Sequence, residues 1–140
     1  HFALWAIMGS PLIMGCDLRK ASEETKKTLL NKDLIAINQD LEARGAYVIK
    51  PLPDVYNENE AFILVKPLAD GDLAIGIFNF SDTQRELSLE FWDMGIPYAA
   101  GVSLSLHDCI TGEELGEFTE RFAPVVPSHG CVVVRAHLAE

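Results

Sequence analysis

The run from residue 11 to residue 18, PLIMGCDL, constrains the fold of this chain more than any other stretch. It is apolar at first and is then stopped by Gly15, Cys16 and Asp17. A helix-like apolar segment precedes it, and a polar connection follows it. A short apolar run between helices predicts a parallel strand buried on both faces. Because α/β folds place their chemistry in the turn after such a strand, Cys16 and Asp17 are candidate site residues.

The segment before this run, residues 2–8, is apolar around nearly its whole circumference and predicts a helix buried on all sides. No Ser, Thr, Asp or Asn precedes it as a cap, and the chain starts at His1. We therefore expect the natural chain to begin further upstream. After the run, Ser22 predicts the N-cap of one helix, and Asn31 predicts the cap of a second with Leu34 and Ile37 on one face.

Charge and hydropathy exclude several classes of partner. The chain of 140 residues carries 21 acidic and 11 basic residues, a formal net charge of -10. No basic patch can form, which argues against nucleic acid and against anionic membranes. The longest apolar stretch, residues 2–16, is broken by Pro11 and is shorter than the roughly 20 residues that a bilayer requires. No basic region precedes it, so a signal peptide is not predicted here.

Cysteine and histidine spacing predicts no metal and no other cofactor. The three cysteines form no CxxC pair, and none of the four histidines lies at ligand spacing from another. We read the cysteines as packed free thiols. One pair, Cys109 and Cys131, could bridge neighbouring strands if the protein is secreted.

The pattern changes after residue 40. We predict a linker and first sandwich segment over residues 41–60, and an antiparallel β-sandwich over residues 61–140. A hairpin turn is indicated by Asp70, Gly71 and Asp72. Apolar residues at alternate positions predict six or so strands, a number typical of a sandwich of this size. The predicted strands span residues 61–65, 73–80, 87–91, 102–106, 115–122 and 131–134.

Three segments carry a resemblance to a known family. Residues 2–19, FALWAIMGSPLIMGCDLR, closely resemble the last part of the catalytic barrel in the melibiase-type α-galactosidases, glycoside hydrolase family 27. Residues 31–40, NKDLIAINQD, resemble the helix that follows in that family. Residues 126–134, VPSHGCVVV, resemble the last strand of its C-terminal sandwich.

The resemblance implies a (β/α)₈ barrel followed by an antiparallel sandwich. Residues 1–40 would then hold the seventh helix, eighth strand and eighth helix of the barrel. The family releases terminal α-linked galactose with retention, using two aspartates whose carboxyls lie about 5 Å apart. Both aspartates belong to earlier strands, so we expect this chain alone to lack catalytic and substrate-binding residues. The galactoside would bind through an upstream barrel.

Several alternatives stay open at this point. The natural substrate could be an α-galactoside, an α-N-acetylgalactosaminide or a β-arabinopyranoside, and the compartment could be secreted, lysosomal or bacterial cytoplasmic. The alternative function is a stand-alone sandwich that binds carbohydrate or a protein partner. Trp92 could then stack on a sugar, although packing at the sandwich edge is the simpler interpretation.

Two further expectations concern the barrel end. Asp17 can be explained without a site role, because its carboxylate can cap backbone N–H groups in the turn. If no barrel is present, we expect Trp5, Ile7, Ile13 and Met14 to be exposed. Self-association through that surface would follow.

Overall fold

The computed structural model describes residues 1–50 and 61–139. Its helices are α1 (Phe2–Met8), α2 (Glu23–Leu29) and α3 (Lys32–Asn38). The predicted caps are confirmed: Thr25 N donates to Ser22 Oγ at 3.1 Å, and Leu34 N donates to Asn31 Oδ1 at 3.0 Å. No helix among the described residues has the length and hydropathy to cross a membrane.

The strands form one large antiparallel sheet and two small ribbons. In chain order they are β1 (Tyr47–Lys50), β2 (Ala61–Pro67), β3 (Leu73–Asn79), β4 (Arg85–Glu86), β5 (Leu89–Glu90), β6 (Ser103–Asp108), β7 (Glu114–Thr119), β8 (Arg121–Phe122), β9 (Val125–Val126) and β10 (Cys131–Ala139). The large sheet has the order β1-β2-β3-β10-β6-β7, while β4 pairs with β9 and β5 with β8. The predicted hairpin at residues 70–72 is confirmed, because β2 and β3 pair across it and Gly71 has φ +91°.

The large sheet is buried on both faces. Its first face packs on the ribbons around a core that includes Ile75, Ile77, Leu89 and Phe122. Its second face packs on α1 and α3 around a core that includes Ile7, Leu34, Ile37, Phe78 and Val133. The sheet is therefore the middle layer of three, which explains why β3 is apolar at both its odd and its even positions.

The parallel strand predicted over residues 11–18 is not formed. This segment, called the apolar loop below, makes no ladder, and Ile13 is 80% exposed. A parallel strand needs neighbours to satisfy its backbone groups, and the described strands of this chain all pair within the sandwich.

The prediction that the first helix is buried on all sides is also wrong. Ala3, Ala6 and Ile7 are buried against the sheet, while Trp5 and Met8 remain about half exposed. The predicted exposure is thus confirmed for Trp5, Ile13 and Met14, whereas Ile7 is buried.

Two predicted strands are interrupted. The strand expected over residues 87–91 gives way to a 3-10 helix, Phe91–Met94, although Leu89 and Phe91 still face the core. The strand expected over residues 115–122 divides into β7 and β8 at Glu120, which has φ +65°. This bend moves the chain from the large sheet to a ribbon. The predicted linker lies partly outside the described residues.

Candidate functional site

A large groove lies beside α1, α3 and the apolar loop. It has a volume of about 730 Å³ and is mostly apolar. We call it the helix-side groove, and its lining residues are His1, Phe2, Trp5, Leu12, Ile13, Met14, Gly15, Cys16, Leu29, Ile35 and Gln39. An apolar surface of this extent is typical of a surface that another part of a protein covers.

Asp17 lies in the turn that leaves the apolar loop. Its Oδ1 accepts from Arg19 N at 3.1 Å and from Arg19 Nε at 2.9 Å, and its Oδ2 accepts from the guanidinium at 2.9 Å. The side-chain hydrogen bonds of Arg19, followed by its backbone N–H, hold the pKa of Asp17 below its usual value. The carboxylate therefore stays ionised and orders the turn. Cys16, beside it, is exposed and borders the groove.

A buried cation joins α3 to the sheet. Lys66, on β2, is only 1% exposed, and its Nζ donates to the Ile37 carbonyl oxygen at 2.5 Å. Burial lowers the pKa of Lys66, and the charge of Asp40 partly opposes that shift. The Asp40 carboxylate also accepts from Ala69 N at 3.0 Å. Cationic groups near a helix C-terminus complement its unpaired carbonyls, so this lysine fixes the end of α3.

His107 links the other end of α3 to the sheet. Its Nε2 lies 3.0 Å from Asp33 Oδ2 on α3, and its Nδ1 lies 2.7 Å from Glu114 Oε1 on β7. Hydrogen bonds to these carboxylates, that to Asp33 first, raise the pKa of His107. The imidazole thus serves as a bridge between layers.

The remaining histidines and the cysteines make no reactive cluster. His129 Nε2 lies 3.0 Å from Asp82 Oδ1, and His137 Nδ1 lies 2.5 Å from Asp72 Oδ1. Among the described residues, no group of three His, Cys, Asp or Glu side chains could hold a metal ion. All three cysteines are free, so no bridge joins Cys109 to Cys131.

A second, smaller site lies on the ribbon side of the sandwich. Trp92 is 61% exposed, and its ring centroid lies 6.2 Å from that of Tyr98. Tyr98 OH donates to Glu90 Oε2 at 3.2 Å. The sequence singled out Trp92 but not Tyr98. The intervening turn brings the two rings together.

The structure places Cys16 and Asp17 together at the end of the apolar loop, beside the groove but not inside a closed pocket. Three polar residues that organise the fold were not predicted. Lys66 and His107 join layers, and Asn79 is buried, with Nδ2 donating to the carbonyls of residues 83, 126 and 127. The signal for Lys66 was a single charge within the apolar run of β2.

Comparison with known proteins gives consistent matches to both halves of the chain. A family model described as Alpha galactosidase A matches residues 1–40, and one described as Alpha galactosidase C-terminal beta sandwich domain matches residues 58–136. A Dictyostelium discoideum protein named "Probable alpha-galactosidase" is 35% identical over 137 residues, and Alpha-galactosidase A of Cellvibrio japonicus is 34% identical over 146 residues. Each alignment covers 96% of this chain.

The same similarity appears in three dimensions. The crystal structure of α-galactosidase I from Mortierella vinacea superposes with a TM-score of 0.85 at 25% identity, covering 97% of this chain and 34% of that one. The chain spans about a third of the length of the curated relatives it matches, 34% for each of the two named above.

Proposed function

Since this chain belongs to the melibiase-type α-galactosidase family, we propose that it is the C-terminal portion of a retaining glycoside hydrolase. The whole enzyme would release terminal α-linked galactose from oligosaccharides or glycoconjugates. We assign residues 1–40 to the end of the catalytic barrel, residues 41–60 to a linker and first sandwich segment, and residues 61–140 to the sandwich.

One observation supports this proposal most directly. The apolar loop has the sequence of a doubly buried strand, yet Ile13 is 80% exposed and Met14 is 52% exposed. Barrel strands supplied from outside the described chain would pair with this loop and cover the helix-side groove. The groove would then become part of the barrel wall.

The chain's own residues would have a supporting role. A retaining mechanism needs two carboxyl groups about 5 Å apart on either side of the glycosidic bond, one as nucleophile and one as acid and base. We assign both to the upstream barrel and none to this chain. Asp17 and Cys16 would lie near the barrel mouth, where the ion pair of Asp17 with Arg19 keeps the turn in place.

The test is an activity assay on two proteins. The 140-residue chain should show no turnover of an aryl α-galactoside. The intact product of its natural gene should hydrolyse that substrate, and proton NMR should detect α-galactose as the first product. Turnover by the purified chain, or inactivity of the intact product, would overturn the proposal. In the second case a stand-alone module that binds carbohydrate or a protein would be the better description.

The uncovered groove also leads us to propose self-association of the chain by itself. Trp5, Ile13 and Met14 form an exposed apolar surface around it. Light scattering should give a mass above that of a monomer, and Ile13→Ser should lower it. Val125→Ser is the matched control, because Val125 is 56% exposed on a ribbon away from the groove. A monomeric chain, or equal effects of the two variants, would contradict this proposal.

A further inference from the structure

Trp92 and Tyr98 form an exposed shelf on the ribbon side of the sandwich. Their ring planes are tilted by 34°, with centroids 6.2 Å apart. Both rings are more than half exposed. Burial of a large aromatic side chain normally stabilises the fold. Two adjacent exposed rings therefore indicate a surface that binds a ligand or a partner.

The backbone holds the shelf in place. Phe91 is buried in the sandwich core and fixes the start of the 3-10 helix, which directs the next residue, Trp92, outward. Gly95 ends that helix with φ +86°, a conformation that glycine adopts without strain. Pro97 then precedes the second 3-10 helix, Tyr98–Ala100, which carries the other ring. The two 3-10 helices thus present both rings at the surface.

Carboxylates surround the shelf. Glu90 accepts from Tyr98 OH through Oε2 at 3.2 Å and from Ser88 Oγ through Oε1 at 2.8 Å. Desolvation raises the pKa of Tyr98, and Glu90, Asp93 and Glu120 raise it further. The phenol therefore remains a hydrogen-bond donor, while each carboxylate oxygen has a second lone pair able to accept.

A cleft opens next to the Tyr98 ring. Its volume is about 240 Å³, and Ile96, Val102 and Tyr98 contribute apolar walls. Glu120 brings a carboxylate to the same cleft. The site therefore offers a flat aromatic surface, an apolar recess and hydrogen-bond acceptors within one small area.

We propose that this shelf binds a neutral sugar ring of a galactose-containing oligosaccharide. A pyranose has one face of C–H groups that stacks on an aromatic ring, and hydroxyls at its edge that donate to carboxylates. Trp92 and Tyr98 are both more than half exposed, so both rings offer surface on which a sugar can stack. An alkylammonium ion also binds aromatic rings, and it is the competing ligand in the experiment below.

The choice of a galactose-containing ligand rests on the proposed function, but the site itself is separate from the catalytic one. It lies on the ribbon side of the large sheet, while the helix-side groove lies on the other side. Its role would be to hold the substrate or its polymer close to the enzyme. The 140-residue chain can be tested for binding without any turnover, so failure of either proposal is distinguishable from failure of the other.

The experiment is calorimetric titration of the chain with raffinose, a neutral α-galactoside. We expect saturable binding that does not change with salt concentration, because the ligand has no charge. Trp92→Ala should weaken binding about tenfold, the value of one aromatic contact. Trp5→Ala is the matched control, since Trp5 is similarly exposed on the opposite side of the sheet and should leave the affinity unchanged.

A fluorescence measurement gives an independent readout. The chain has two tryptophans, so Trp5→Phe leaves Trp92 as the only one. Its emission should shift on saturation with raffinose, at the same midpoint as the calorimetric signal. Absence of saturable binding, equal loss of affinity in Trp92→Ala and Trp5→Ala, or binding of alkylammonium ions in preference to raffinose would each overturn the proposal.

Discussion

Gly76 lies on the face of the large sheet that packs on α1, and Gly76→Ala tests the packing of these two layers. A Cβ atom at this position would lie 2.6 Å from Phe78 Cε2 and 2.9 Å from Ile7 Cδ1. Gly76 does not have a positive φ, so alanine meets no backbone strain. Overpacking of this kind costs about 1–3 kcal/mol. The lower entropy of the unfolded alanine chain offsets about 0.5–1 kcal/mol of that cost.

We therefore expect Gly76→Ala to lower the free energy of unfolding by about 1–2 kcal/mol in urea denaturation. Gly15→Ala is the matched control, because a Cβ there meets no atom within 4 Å, so the entropy term alone should raise the free energy of unfolding by up to about 1 kcal/mol. A double-mutant cycle with Ile7→Val isolates the contact, since valine lacks the Cδ1 atom. Ile7→Val alone should cost about 0.5–1.5 kcal/mol, and less in the Gly76→Ala background.

Two results would refute this reasoning. If Gly76→Ala does not lower the unfolding free energy below that of Gly15→Ala, α1 does not press on the sheet in solution. If the effects of Gly76→Ala and Ile7→Val are additive, the clash does not involve the helix, and Phe78 alone accounts for the cost.

Two further predictions concern titratable groups. The raised pKa of His107, due to Asp33 and Glu114, means that its stabilising contribution is fully present below the unfolded pKa of about 6.5 and is lost as pH rises through the folded pKa. The loss of unfolding free energy in His107→Ala should thus be larger at about pH 5.5 than at about pH 9 in urea titrations, and a pH-independent loss would contradict it. Burial raises the pKa of Cys109 to about 12, whereas Cys16 is exposed. An aromatic disulfide reagent should modify one thiol rapidly in the native chain and none in Cys16→Ser, and rapid reaction in that variant would show that a buried thiol is accessible.

Local signals predicted the elements whose stabilisation is also local. The side chains of Ser22 and Asn31 each accept a hydrogen bond from the backbone N–H three residues ahead. These caps therefore depend only on nearby residues. Alternating apolar residues predicted β6, while the continuous apolar runs of β2 and β3 fit strands that are buried on both faces. The hairpin was predicted from Gly71, because the positive φ at this position of the turn favours glycine.

Tertiary context decided the elements that were predicted wrongly. The apolar loop has the composition of a buried strand, but a strand forms only where neighbours pair with it. The predicted strand is interrupted at Glu120 because the chain passes there from the large sheet to a ribbon. No local sequence pattern indicates this passage. The partner of a buried charge cannot be read from local sequence either, since Lys66 donates to the Ile37 carbonyl, 29 residues earlier in the chain.

The candidate sites were likewise predicted where the signal is local and missed where tertiary structure decides. Residue type alone made Trp92 a candidate for sugar stacking, with packing at the sandwich edge as the simpler interpretation, and made Asp17 a turn residue. Pairing of Trp92 with Tyr98 required the geometry of two consecutive 3-10 helices. The expectation that the catalytic carboxylates lie outside this chain came from family resemblance rather than from spacing, and it stays a prediction.

The position of β10 has a consequence for how the chain acquires its structure during synthesis. This strand comes last among the described elements, yet it lies between β3 and β6 at the middle of the sheet. The surface that receives α1 and α3 includes Val133 of this strand, so these helices cannot complete their packing on the sandwich until β10 has left the ribosome. A premature stop before Cys131 would remove the centre of the sheet and leave β6 and β7 detached from β2 and β3.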